Sequence, residues 1–118
     1  MQVDQNSLIQ LFSDKSLNDR LDIFYQIYGV SIRSEYRLED EDIVDLDWEP
    51  FGCVITLVND EVDQVRLNSL EDHHKAILSW IDSIRKNTYE TINEGCCQIC
   101  FELRDDNLLE SVVIKRAI

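Results

Sequence analysis

Between residues 43 and 67 the chain is patterned with a period of two, and this constrains its fold more than any other feature. In IVDLDW, residues 43–48, Val44, Leu46 and Trp48 alternate with Asp45 and Asp47, and Glu49 continues the acidic series. Successive side chains of a strand point to opposite faces, so one face would be apolar and the other a row of carboxylates. Pro50 and Gly52 interrupt this pattern. CVITLV, residues 53–58, is then a continuous apolar run suited to a central strand, and Asn59, Asp60 and Glu61 form a polar turn into a third strand over residues 62–67. The expected arrangement is an antiparallel meander.

Helical patterns flank it. Residues 4–12 place Leu8, Leu11 and Phe12 on one side. Residues 17–28 carry Leu17, Leu21, Phe24 and Tyr28 at helical spacing, with Ser16 and Asp19 in the positions of a capping box and Gly29 where a C-terminal cap belongs. A third helix is predicted over residues 69–86, from Ser69 as N-cap through Leu70, Ile77, Ile81 and Ile84, with Glu71 and Asp72 in the first turn and Arg85 and Lys86 in the last. His73 and His74 fall inside it, one at the core edge and the other solvated. A polar linker follows, and CCQICFEL and LLESVVIK, separated by Arg104, Asp105, Asp106 and Asn107, read as a closing hairpin. Residues 30–37, in which Val30, Ile32 and Ser34 alternate with Ser31 and Arg33, fit either a short strand or an extended connector. The predicted fold is α+β, a mainly antiparallel sheet of about five strands with N-terminal helices and one helix inserted between strands three and four. With 118 residues, 44% of them hydrophobic, the chain can bury a core as a single domain spanning 1–118 without disulfides or metal.

The charge is concentrated. The net charge is −13, yet residues 35–63 hold eleven acids against Arg37 alone, while the other 89 residues hold 13 acids and 10 bases. A field of this sign opposes phosphate binding, so nucleic acid is excluded as a partner. No apolar stretch approaches a membrane span, and the N-terminal MQVDQNSLIQLF lacks the basic and apolar regions of a secretion signal, which predicts a cytoplasmic protein.

Catalytic and metal chemistry find little support. Gly29, Gly52 and Gly95 are too scattered for a phosphate-binding loop, and no nucleophile or zincin motif occurs. Cys97 and Cys100 have C-x-x-C spacing, but in a strand they point to opposite faces. The run from Asp45 to Glu49 imitates the start of a calcium-binding loop and then puts Pro50 where glycine is needed. No enzyme activity, cofactor or metal is expected.

What remains is the acidic run itself. Glu39, Asp40, Glu41 and Asp42 read as a mobile lead, and Asp45, Asp47 and Glu49 as an ordered outer row with side chains about 6.7 Å apart. Asp60, Glu61 and Asp63 add to it. Like charges held this close favour a partner rich in lysine and arginine, so these ten residues form the predicted partner-binding set. In size, acidity and the EDEDIVDLDWE patch the chain resembles the small acidic immunity proteins of bacterial toxin systems, such as contact-dependent growth inhibition. The resemblance implies a one-to-one complex with a basic toxin domain, a nuclease, whose active site or substrate groove is blocked. Two alternatives are a phage-encoded inhibitor that mimics nucleic acid, of the anti-CRISPR type, and a non-catalytic adaptor subunit.

Overall fold

The computed structural model describes residues 1–117. Two helices open the chain: α1 (Gln5–Gln10), capped by the Asp4 carboxylate on the Ser7 N–H, and α2 (Leu17–Tyr28), capped by Ser16 on the Asp19 N–H. Four strands follow, β1 (Ile32–Leu38), β2 (Glu41–Trp48), β3 (Cys53–Val58) and β4 (Glu61–Leu67). Two helices, α3 (Leu70–His73) and α4 (Lys75–Ile84), then lead to β5 (Ile92–Glu94), β6 (Cys97–Leu103) and β7 (Leu109–Arg116). All pairings are antiparallel, and the strand order is β1-β2-β3-β4-β7-β6-β5. The last strand thus returns to pair with β4, which joins the meander to the closing hairpins in one sheet.

The predicted α+β class and antiparallel pairing hold, but the predicted arrangement does not. The sheet has seven strands, not five, and the helical segment falls between β4 and β5 rather than between strands three and four. The two further strands, β1 where residues 30–37 fitted either a strand or a connector and β5 in the linker, lack a core signature. Every residue of β1 is exposed, because it is an edge strand that overhangs the core, and β5 has only three residues. What makes β1 a strand is its turn: Glu39 and Asp40 both take positive φ (50° and 67°), the geometry of a two-residue hairpin whose twist matches the strands. The expected mobile lead is therefore the tight β1–β2 turn plus the first two residues of β2.

The helices cover one face of the sheet. Val44, Leu46 and Trp48 of β2 join Cys53, Ile55 and Leu57 of β3 and Val62, Val65 and Leu67 of β4 in a core completed by Leu8, Leu11, Phe24, Ile77 and Ile81. Trp48 is its largest fully buried side chain. Its ring lies 6.2 Å from Phe24, 5.3 Å from Tyr25 and 5.6 Å from Tyr28, and its indole N–H donates to the Gly29 carbonyl at 2.9 Å. The polar tip of a buried tryptophan thus finds an acceptor at the end of α2. No helix among the described residues is long and apolar enough to cross a membrane.

The third predicted helix is broken in two at His74, and Ser69 makes no side-chain cap, taking φ 50° instead. Two hydrogen bonds account for the break. Nδ1 of His74 lies 2.8 Å from the Asn68 carbonyl and Nε2 lies 2.6 Å from the Tyr28 hydroxyl, with the ring fully buried. A carbonyl only accepts, so Nδ1 carries the proton; in the neutral ring Nε2 is then the acceptor and Tyr28 the donor. Burial favours that neutral form, holding the His74 pKa below the ordinary value. His73 is half-buried, with its ring 5.3 Å from Phe51, so neither histidine is the solvated one expected.

The same corner includes Gly52, which takes φ +70° after the 3-10 turn Glu49–Phe51 and whose carbonyl accepts from the Asn68 N–H at 2.8 Å. A Cβ at Gly52 would lie 2.7 Å from the Asn68 carbonyl oxygen. Gly52→Ala is therefore expected to destabilise the fold by more than about 2 kcal/mol, measured by urea denaturation, since it combines left-handed backbone strain with a clash against backbone. Acidification tests His74. The unfolded chain protonates this residue near pH 6.5 while the folded chain resists, so stability should decline as pH falls below about 6.5, and His74→Gln should flatten that decline.

Candidate functional site

The register of β1 to β4 defines the face opposite the helices. Ile32, Ser34, Tyr36 and Leu38 of β1 pair with Asp47, Asp45, Ile43 and Glu41 of β2, and Asp47, Asp45 and Ile43 pair in turn with Val54, Thr56 and Val58 of β3. These residues share one side, because side chains directly opposite one another in a ladder stand on the same face. Between Thr56 and Leu57 the β3–β4 register shifts, so that Thr56 faces Gln64 and Leu57 faces Val62, leaving Asp63 as the extra, bulged residue. Together they form a shallow groove of about 540 Å³, lined by Tyr36, Glu41, Asp45, Thr56, Asp63 and Arg66, among others.

Of the ten predicted partner-binding residues, four lie on or beside this groove: Glu41, Asp45, Asp47 and Asp63. Asp45 is half-buried and fixed, its two oxygens accepting from the Thr56 hydroxyl at 2.8 Å and the Tyr36 hydroxyl at 3.1 Å. Asp47 is also half-buried, and its Oδ1 has no hydrogen-bond partner among the described residues. Among the described residues Arg66 is the one cation in the groove lining, and Glu102 on β6 engages its guanidinium. The groove therefore keeps a negative excess.

Three more, Glu39, Asp40 and Asp60, are exposed at the tips of two neighbouring turns. Asn59 and Asp60 repeat the geometry of Glu39 and Asp40 (φ 50° and 66°), and Asn59 ties the two turns together. Its side-chain oxygen accepts from the Asp42 N–H at 3.0 Å, and its own N–H donates to the Asp42 carbonyl at 2.8 Å. The acidic tips are thus held side by side at one end of the groove.

Asp42, Glu49 and Glu61 depart from the predicted surface. The Asp42 side chain stands on the opposite parity of β2 from Asp45, 4.0 Å from Arg37. Glu49 does not continue the row, because β2 ends at Trp48 and Pro50 fixes the following backbone in the 3-10 turn. Glu61 lies 3.5 Å from the buried Arg20 and 3.9 Å from Arg116, so its charge is already answered within the molecule. Conversely, Tyr36, Thr56 and the buried Ile43 shape the groove without standing out in the sequence. The signal for Tyr36 was the alternation begun by Val30 and Ile32, which runs on through Tyr36 and Leu38.

The cysteines lie apart from this face or are unremarkable on it. Cys53 and Cys97 are buried, Cys100 is half-buried and Cys96 exposed. Burial pushes the Cys97 thiol up to about 12, with the neighbouring Cys96 adding to the shift. No group of three or more His, Cys, Asp or Glu side chains among the described residues is placed to hold a metal ion.

The clamp on Asp45 has a direct readout. The hydrogen bond from Tyr36 to the Asp45 carboxylate raises the phenol pKa above its ordinary value. Asp45→Asn is expected to return the Tyr36 titration towards about 10, as followed by tyrosine ring resonances in NMR. Comparison of the chain with protein-family models, with curated proteins and with solved structures finds no match, so the functional reading stands on the site itself.

Proposed function

We propose that the groove on the open face of β1–β4 binds a basic protein, and that the chain acts as an immunity protein neutralising a nuclease toxin. The observation that carries this reading is the unneutralised charge: Glu41, Asp45 and Asp63 line one groove whose only lining cation among the described residues is engaged by Glu102. A nuclease binds its substrate through lysines and arginines aimed at phosphates. Carboxylates spaced along a strand at about 6.7 Å can meet such cations one by one. The turn tips bearing Glu39, Asp40 and Asp60 extend the field beyond the groove, where its main effect is to speed encounter and set orientation. No chemical step is assigned to the chain itself. Action against a nuclease would place it in the cytoplasm, beside the nucleic acid it protects.

Glu41 and Asp63 are the residues to reverse, since both are exposed and neither makes a side-chain hydrogen bond in the structure, unlike Asp45. With a nuclease domain encoded beside this chain as partner, Glu41→Lys/Asp63→Lys should slow association about tenfold or more at low salt and flatten its ionic-strength dependence, read by stopped-flow or surface plasmon resonance. Circular dichroism should be unchanged, because exposed substitutions seldom move stability by more than about 0.5 kcal/mol. Equal protection against the nuclease by wild type and double variant would sink the proposal.

A further inference from the structure

The free edge of β1 is built differently from the rest of the surface. Ile32, Tyr36 and Leu38, all on one face of β1, are 61%, 49% and 58% exposed, and Val30, just before the strand, is 94% exposed. The β1–β2 ladder runs seven residue pairs without a bulge, so the edge is regular, and it carries neither proline nor lysine. An edge of this length and regularity is a template for another strand. The opposite edge, β5, has three residues.

Its backbone groups can be assigned. Both the N–H and the C=O of Asp42 are taken by Asn59, on the β3 side. Asp42 and its partner Arg37 are therefore a non-hydrogen-bonded pair, and by alternation so are Glu35 with Val44 and Arg33 with Leu46. The main-chain N–H and C=O of Arg33, Glu35 and Arg37 consequently point outward from the sheet edge.

We infer that β1 pairs antiparallel with β1 of a second copy, about a two-fold axis at Ser34, so that the two seven-stranded sheets become one continuous sheet. Charge selects the occupant, and charge together with apolar matching selects the register: an axis at Tyr36 would also set Glu35 opposite Arg37 but would place Ile32 opposite Asp40. The outward-bonding residues are Arg33, Glu35 and Arg37, so a basic strand would meet two arginines, whereas a second copy can match them. Arg33 and Glu35 already pair within the chain at 2.8 Å; centred on Ser34, pairing sets each Arg33 opposite Glu35 of the second copy as well, as hydrogen-bonded pairs, so that the two intrachain pairs join in one alternating cluster of four charges. On the other face Ile32 meets Tyr36, twice, so two of the three exposed apolar side chains of β1 gain an apolar partner. Centring on Glu35 instead would oppose Glu35 to Glu35 and Arg33 to Arg37, with like charges across every such pair. This inference does not rest on the immunity reading, since it uses the backbone edge and the apolar side chains of β1 rather than the carboxylates of the groove.

Sedimentation equilibrium of the full chain should show a dimer. Ile32→Lys/Tyr36→Lys should be monomeric with unchanged circular dichroism. Arg33→Glu should raise the dimer Kd about tenfold or more by setting a second carboxylate against Glu35, and Arg33→Glu/Glu35→Arg should restore it. The axis has its own test. Non-hydrogen-bonded antiparallel pairs bring Cα atoms to about 4.5 Å, within disulfide range, so Ser34→Cys in a Cys96→Ser background should cross-link under mild oxidation faster than Glu35→Cys in the same background. A wild-type chain that stays monomeric at every concentration, or a Glu35→Cys variant that cross-links faster than Ser34→Cys, would overturn the inference.

Discussion

The fold depends on one buried imidazole. His74 accepts a hydrogen bond from Tyr28 at the end of α2 and donates one to the Asn68 carbonyl at the end of β4, while Asn68 is in turn bonded to the Gly52 turn. Three stretches far apart in sequence, the end of α2, the Gly52 turn and the connection from Asn68 to His74, are thereby fixed at a single corner. The tyrosine ring that serves it also packs against Trp48, so the polar chain and the aromatic cluster constrain each other. The Asn68 carbonyl fixes the Nδ1–H tautomer of the neutral ring, and burial disfavours its protonation. Burial that would otherwise penalise a polar ring is offset because both nitrogens are satisfied. The break between α3 and α4 follows from this geometry, since an uninterrupted helix would carry the ring away from Asn68.

On the opposite side of the sheet, the acidic strand survives because its charges are handled one at a time. Asp45 is held by two hydroxyls, Glu61 by two guanidiniums, and Asp42 stands on the other parity. Of the carboxylates left without a cation, Glu41, Asp63 and the turn tips are exposed, whereas Asp47 is half-buried with one oxygen unpartnered among the described residues. Repulsion among them is weakened by water, and the buried residues near them contribute shape rather than charge. A surface of this kind discriminates among partners by sign before contact and by groove shape after it.

Much of this was legible in the sequence wherever burial repeats with a regular period. Val44, Leu46 and Trp48, the run CVITLV, the stripe of α2 with its Ser16 cap, and the closing hairpin all fall where their patterns put them. β1 stayed open between strand and connector because a strand exposed on both faces carries no apolar period tied to a core, and its identity lies in the turn that follows. The break at His74 escaped because a local helical pattern cannot report a bond to Tyr28, forty-six residues earlier. For the site, the sequence located the charge but not its internal partners. That Glu61 faces Arg20 and Arg116 depends on the return of β7 beside β4 and on the placement of α2, neither of which a window of neighbouring residues contains.

The paired turns at the end of the groove use Glu39, Asp40, Asn59 and Asp60 in a backbone region that glycine enters more readily. The choice fuses two properties that loops usually keep separate. A glycine turn would be easier to form and would bear no charge, while a long acidic loop would bear charge and wander. Here the residues that carry the charge are the ones whose dihedral angles are set, and Asn59 cross-braces the pair. A ligand meeting this end therefore meets carboxylates whose backbone is already ordered, and little main-chain entropy remains to be lost on contact.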